Sequence, residues 1–259
     1  GLLAGREQNM WFQQFAADLN NFRAALAWSV AQQQPETTAQ LAEGLRLFWQ
    51  DRGPVSEGVR WLDTALQHRE RLSLPTLTRV LSTKAALLLV VRGDREQAMP
   101  LLQASLRLSR ELGDKTRLVR TLSYLGIAAV LEGDYQRSAA LHEEAVAIAR
   151  AQPDRHVLAT ALLNQSGVYM LHGDNAQAKA GFSESLLLAR ELGDPRGIAY
   201  ALNYSATVAL AEEDHQQAIP MMEESLTLGR ELESPGLIAV PLSGLGLAAL
   251  YQGDHDRAL

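Results

Sequence analysis

The sequence has no cysteine, 6% aromatic residues and three lysines, Lys84, Lys115 and Lys179, in 259 residues. The absence of cysteine excludes a disulfide framework, thiolate zinc sites and cysteine nucleophiles. Basic residues are in the minority: 24 Lys plus Arg against 30 Asp plus Glu leave a net charge of −6. A nucleic-acid surface needs a basic balance to neutralise phosphates, and docking on anionic lipid needs the same, so neither partner is expected. Each arginine has acidic neighbours, which leaves no continuous positive field. No apolar run approaches the ~20 residues of a membrane span. The first residues, Gly1-Leu2-Leu3-Ala4-Gly5-Arg6, lack the basic start and apolar core of a signal peptide. A cytoplasmic setting is expected. The first residue is not Met, which points to a piece of a longer protein.

What the sequence has is a repeat. Gly93-Asp94, Gly133-Asp134, Gly173-Asp174 and Gly253-Asp254 share one frame with a step of 40 residues; Glu213-Asp214 fills the missing slot and Gly53-Pro54 stands one step earlier. Five residues after the Gly comes a small residue: Gly58, Ala98, Ser138, Ala178, Ala218, Ala258. Twelve after it come Ala65, Ser105, Ala145, Ser185 and Ser225. Seven before it come Ala86, Gly126, Ser166, Ala206 and Gly246, while the first copy breaks the pattern with Arg46. Apolar residues recur at helical spacing, as in Leu118, Leu122, Leu125 and Ala129. The unit is a helix–turn–helix: Gly permits the turn, Asp caps the next helix, and small residues let the pair approach closely. Leu112-Gly113-Asp114 and Leu192-Gly193-Asp194 carry Gly just past a helix end. Gly126→Trp is expected to clash with the paired helix. Pro35, Pro75, Pro153, Pro195 and Pro235 are expected in loops between units and Pro241 in a first helical turn. Pro100 and Pro220 fall inside second helices, where a local bend is expected. The fold class is all-α, a stack of units that bury their apolar faces only against one another.

The spacing of small residues, with Gly-Asp and the following Tyr135, resembles the tetratricopeptide repeat in a 40-residue form. The resemblance covers residues 37–259, about five full repeats plus a truncated one. It implies an α-α superhelix with a concave groove. Residues 1–36 are expected as a helical cap or linker. Their segment Asp18-Leu19-Asn20-Asn21-Phe22-Arg23-Ala24-Ala25-Leu26-Ala27-Trp28 resembles one found in bacterial STAND-type ATPase regulators, with the LuxR-type large ATP-binding regulators and the antibiotic-regulatory activators nearest. There it follows the nucleotide-binding and winged-helix modules. That resemblance implies a C-terminal sensor arm cut from such a regulator. The alternative is a free-standing scaffold that binds peptides.

No catalytic, cofactor or metal site is expected. There is no G-x-x-x-x-G-K-[ST] loop for ATP and no G-x-S-x-G elbow, and Gly244-Leu245-Gly246 lies in a repeat helix. His142-Glu143-Glu144 lacks the second His of a zinc helix, and His215 and His255 read as turn residues. The pairs Glu143-Glu144 and Glu223-Glu224 read as a solvated outer face. Arg110, Arg150, Arg190 and Arg230 form a 40-step series, each with a polar partner four residues on (Asp114, Asp154, Asp194, Ser234), which reads as local pairing at helix ends. Trp11, Phe12, Phe15, Phe22, Trp28, Phe48, Trp49 and Trp61 crowd into the first quarter as a packed core, or as a docking surface for the upstream module.

The resemblance places the groove on first-helix positions. These are Val80, Thr83, Leu87, Val90 and Val91; Arg120, Ser123, Ile127, Val130 and Leu131; Thr160, Leu163, Gly167, Met170 and Leu171. Tyr200, Asn203, Thr207, Leu210 and Ala211 follow, then Val240, Ser243, Leu247, Leu250 and Tyr251. Tyr124, Asn164 and Tyr204 flank it. Arg120 is the one charged residue of the five sets, so the Lys, Arg and Asn clamp of the chaperone-binding members is missing and chaperone binding is rejected. The contact set for a protein or peptide partner, or for the upstream ATPase module, is Arg120, Tyr124, Ile127, Leu163, Asn164, Met170, Tyr200, Asn203, Tyr204 and Thr207, with Tyr200 and Asn203 foremost. Self-association through the incomplete last unit is left open.

Overall fold

The computed structural model describes residues 8–51 and 53–251. Gly253-Asp254, His255, Ala258 and the side chain of Tyr251 lie outside the described residues. Every described element is helical. The helices are α1 (Gln8–Ala17), α2 (Leu19–Ala31), α3 (Pro35–Gly44), α4 (Arg46–Asp51), α5 (Val55–Leu66), α6 (Leu74–Ala86), α7 (Arg95–Leu112), α8 (Lys115–Leu131) and α9 (Tyr135–Arg150). Then come α10 (Arg155–Leu171), α11 (Asn175–Leu192), α12 (Pro195–Ala211), α13 (His215–Glu231) and α14 (Pro235–Tyr251). A π-turn, Leu87–Val91, extends α6.

The turn chemistry follows the sequence. The Asp94 carboxylate accepts from Gln97 N at 3.1 Å, Asp134 from Arg137 N at 3.0 Å, Asp174 from Gln177 N at 3.1 Å and Asp214 from Gln217 N at 3.1 Å. Each satisfies one of the orphan donors of a helix start. Gly93, Gly133 and Gly173 take φ of 67°, 76° and 83°, the left-handed region that an L side chain resists. Glu213 occupies the same slot at φ 61°. The prolines differ from expectation. Pro35, Pro195 and Pro235 are the first residues of α3, α12 and α14, where the missing N–H would have had no partner, and Pro75 is the second residue of α6. Pro241 consequently falls inside α14 rather than in its first turn; Pro100 and Pro220 lie inside the uninterrupted α7 and α13.

The chain divides into two compact units. One holds Met10–Ile148. Its core gathers Phe12, Leu26, Phe48, Trp49, Leu62, Val80, Leu87, Leu88 and Leu102, with Phe15, Phe22 and Trp61 packed against them. Most of the N-terminal aromatics are therefore core; Trp28 is exposed. Glycine is required twice around Trp49: a Cβ on Gly53 would stand 2.8 Å from its Cε3, and one on Gly58 2.7 Å from its Cγ. Arg23 of α2 donates to both carboxylate oxygens of Glu57 on α5, at 2.8 and 2.7 Å. Ser29 and Thr38 share a buried 2.8 Å hydrogen bond between α2 and α3. Among the described residues one helix, Leu74–Val91, is long and apolar enough to cross a membrane. Arg79 and Lys84 interrupt its apolar sequence. Val80, Leu81, Leu87 and Leu88 are buried, which makes it a core helix.

The other unit holds Asn9 and the described residues from Ala149 onward. Here α10 packs on α11, α11 on α12, α12 on α13 and α13 on α14, while α10 touches α12 and α12 touches α14. First helices thus form one layer and second helices another. Ser185 Oγ donates to the carbonyl of Ala159 at 2.9 Å, and Ser225 Oγ to that of Ala199 at 3.0 Å, so the buried small position also ties the second helix to the first.

Candidate functional site

Several predicted groove positions are exposed apolar residues. Val90, Val91 and Leu131 are exposed in one unit, and Leu171, Val240, Leu247 and Leu250 in the other. Five predicted positions are buried: Val80, Thr83 and Leu87, where α6 packs against α3 and its π-turn against α4, and Ser123 and Asn203.

The ten candidate contacts fall into two groups, each within its own unit. In Met10–Ile148, Arg120, Tyr124 and Ile127 stand in successive turns of α8, all half-buried, with Tyr124 and Ile127 packed against the core. In the unit from Ala149, α10 supplies Leu163, Asn164 and Met170 and α12 supplies Tyr200, Asn203, Tyr204 and Thr207. The Tyr204 ring stacks on Phe182 with centroids 5.5 Å apart, and Tyr200 stacks on Tyr204 at 6.4 Å. Leu163 and Met170 pack against the same Phe182 cluster. Burial raises the Tyr204 phenol above its ordinary range, and the Tyr200 charge adds to the effect. The phenol therefore stays a donor. Asn203 is buried, at 3% exposure, and its Oδ1 has no hydrogen-bond partner among the described residues. Thr207 is exposed and donates to the Asn203 carbonyl at 2.9 Å. This face carries two stacked tyrosines, a buried acceptor without a partner and an exposed hydroxyl at Thr207.

The Met10–Ile148 unit holds charges that the sequence reading left unassigned. Arg46 and Arg117 each feel both the Arg120 charge and the Glu43 carboxylate. Burial lowers Arg46 from the guanidinium range, Tyr124 and Glu43 oppose the shift and the Arg120 charge adds to it. Arg117 is lowered to about 10, by burial first and then by Arg120. The signal for Arg46 was its break of the small-residue position.

The arginine series also pairs differently from expectation. Arg110 reaches Glu144 at 3.0 Å, Arg150 reaches Glu184 at 2.7 Å and Arg190 reaches Glu224 at 2.9 Å, so each bridges to the next second helix instead of pairing four residues along its own turn.

The tetratricopeptide-repeat profile matches residues 76–151, 157–231 and 197–259, more than half of the chain. This chain belongs to the tetratricopeptide-repeat family. Proteins of Mycobacterium bovis and Mycobacterium tuberculosis that are named as HTH-type transcriptional regulators are 31% identical to it over 119 residues. The match takes in 43% of this chain and 14% of theirs, so the chain spans a small part of the curated relatives it matches. Among solved structures, a signal transduction ATPase with numerous domains from Pyrococcus horikoshii, which has a tetratricopeptide-repeat sensor, aligns with a TM-score of 0.60 at 15% identity over 87% of this chain and 34% of that one. A Rap protein complexed with competence and sporulation factor aligns at 0.70 with 10% identity, over 90% of this chain and 76% of its own. NprR in complex with its cognate peptide NprX aligns at 0.67 with 15% identity, over 95% and 72%. At such identities these likenesses show the tetratricopeptide fold alone.

Proposed function

We propose that this tetratricopeptide-repeat chain is a non-catalytic interaction and sensing arm of a signal-transduction ATPase regulator, and that it takes a peptide, protein or effector along its first-helix faces. The observation that carries the reading is α12, where half-buried Tyr200 and Tyr204 stack and buried Asn203 keeps an acceptor without a partner. Buried polar atoms are rarely left unsatisfied, and an acceptor on the same helix as half-buried tyrosines suits a backbone N–H. The mycobacterial regulators and the sensor ATPase of Pyrococcus support the regulatory setting; the Rap and NprR complexes support a peptide-sized ligand. Binding to such a face would bias an upstream switch between two states.

The test is selection of displayed peptides on the purified chain, repeated with Tyr200→Ala. Peptides enriched by the wild type and lost by the variant are expected, with far-ultraviolet circular dichroism unchanged. Enrichment that survives Tyr200→Ala would remove this face from the reading. Nucleotide hydrolysis by the full regulator that responds to a selected peptide is the expected readout of the sensing role. Hydrolysis indifferent to every selected peptide would leave a plain adaptor.

A further inference from the structure

Repeat position eight holds Ala86, Gly126, Ser166, Ala206 and Gly246 in later copies and Arg46 in the first. In the expected groove, Arg120 is the one charge. The fold brings these two departures together. Arg117 Nη2 stands 3.7 Å from Glu43 Oε1, which links α8 to α3. Residues three apart share a helix face. Arg120 is three on from Arg117. Arg46 is three on from Glu43, and the backbone bonds from Leu45 N to Leu41 O and from Trp49 N to Leu45 O carry the helical path past the break between α3 and α4.

Arg117 therefore meets the Glu43 carboxylate, with Arg46 and Arg120 close to Arg117. Asp114 also acts on Arg117, but its carboxylate accepts from the Arg117 backbone N–H at 2.9 Å as a helix cap. Arg117 is 8% exposed; its Nη1 donates to Ser82 Oγ at 3.1 Å, and its buried Nε has no acceptor. Arg46 Nη1 donates to Gln50 Oε1 at 2.9 Å. Arg120 makes no hydrogen bond or ion pair with another described residue. Like charges held together at low exposure are costly unless an anion joins them. Guanidinium forks suit the paired oxygens of a carboxylate or a phosphate.

We propose that Arg46, Arg117 and Arg120, bordered by Tyr124, form a binding site for one oxyanion carried by the ligand of this chain. The inference rests on the interaction reading above and specifies one chemical group of that ligand. It places an anionic group in the Met10–Ile148 unit of a chain whose net charge is −6.

The test is thermal unfolding of the full chain in sodium phosphate and in sodium succinate, each against chloride at matched ionic strength. A saturable rise in Tm is expected, since a ligand of the folded state stabilises it by mass action. Arg120→Gln should weaken the apparent affinity at least tenfold. Arg107→Gln should leave it unchanged, because Arg107 is exposed and 3.9 Å from Glu111. Arg120→Lys keeps the charge, loses the fork and should weaken binding several-fold, so it serves where the Gln variant fails to fold. A rise with phosphate alone identifies a phosphate group, and one with succinate alone a carboxylate. A rise that tracks ionic strength, or that persists in Arg120→Gln and Arg120→Lys, overturns the site. Peptide selection through Tyr200 would still stand in that case, because the two tests share no residue.

Discussion

A Cβ on Gly126 would stand 2.6 Å from Cδ2 of the His142 ring. The small position of the third repeat is thus filled from the facing helix by an imidazole. The corresponding second-helix residues of the other repeats are Leu62, Leu102, Phe182 and Met222, all buried. His142 is the polar member of an apolar series, and neither ring nitrogen has a hydrogen-bond partner.

Gly126→Ala should destabilise the chain by about 1 kcal/mol. Helix propensity alone favours Ala over Gly by about 1 kcal/mol, so a net loss requires the overpacking cost of about 1–3 kcal/mol. Denaturant unfolding of Gly126→Ala, His142→Ala and the double variant checks it. The double variant should be more stable than the sum of the single losses implies. Additive effects would mean that the two residues do not meet.

The same ring makes stability depend on pH. Burial lowers the His142 imidazole from 6.5 to about 4. Above pH 6.5 the ring is neutral in both folded and unfolded chains. Between about 6.5 and 4 the unfolded chain takes up a proton that the folded chain refuses, so stability falls as pH falls. Below about 4 the loss is complete. At 1.36 kcal/mol per pKa unit the full effect is about 3 kcal/mol. His142→Leu should therefore lose about 3 kcal/mol less than the wild type between pH 7.5 and pH 4 in urea titrations. Parallel pH profiles for the two proteins would place the ring in contact with water.

Glu213, at φ 61°, holds the turn position that Gly93, Gly133 and Gly173 hold in their repeats. Glu213→Gly should raise stability by about 1 kcal/mol, because strain of this kind costs about 1–3 kcal/mol and the added entropy of the unfolded chain takes part of it back. Gly133→Ala, at φ 76°, should lower stability by a similar amount. Calorimetric melting of both variants decides it; a shift of the same sign in both would count against the account.

Arg190 and Glu224 keep 52% and 46% of their side-chain surface exposed, so their bridge is worth little despite its 2.9 Å length. A double-mutant cycle with Arg190→Ala and Glu224→Ala should give a coupling of about 0.5 kcal/mol that fades in 1 M salt. The regular series matters more for the register of neighbouring second helices than for total stability. A coupling above 2 kcal/mol would show that the pair is shielded from solvent.

The repeat itself could be read without coordinates because its causes are local. A helix cap needs an Asp side chain three residues from a backbone N–H, a left-handed turn favours Gly, and close helices need Ala, Ser or Gly at a fixed interval. Asp94, Gly93 and Ser105 meet these needs within one unit, so the sequence alone determined the helix pairs, their period and their layering. Pro35 and Pro195 open α3 and α12 rather than lying in the loops before them, because a proline before a helix and one that opens it differ by a single residue.

The site depended on distances that no period fixes. Which acid Arg190 reaches, Asp194 on its own turn or Glu224 on the next second helix, is decided by the offset between stacked units. The burial of Val80, Thr83 and Leu87 is decided by how α3 and α4 lie on α6. Arg46 and Arg120 are 74 positions apart, and only the packing of α8 near α3 makes them neighbours. Coulombic interaction falls with distance through space and takes no account of separation along the chain. The sequence therefore determined which residues are out of place in the repeat, and only the tertiary structure decided which of them meet.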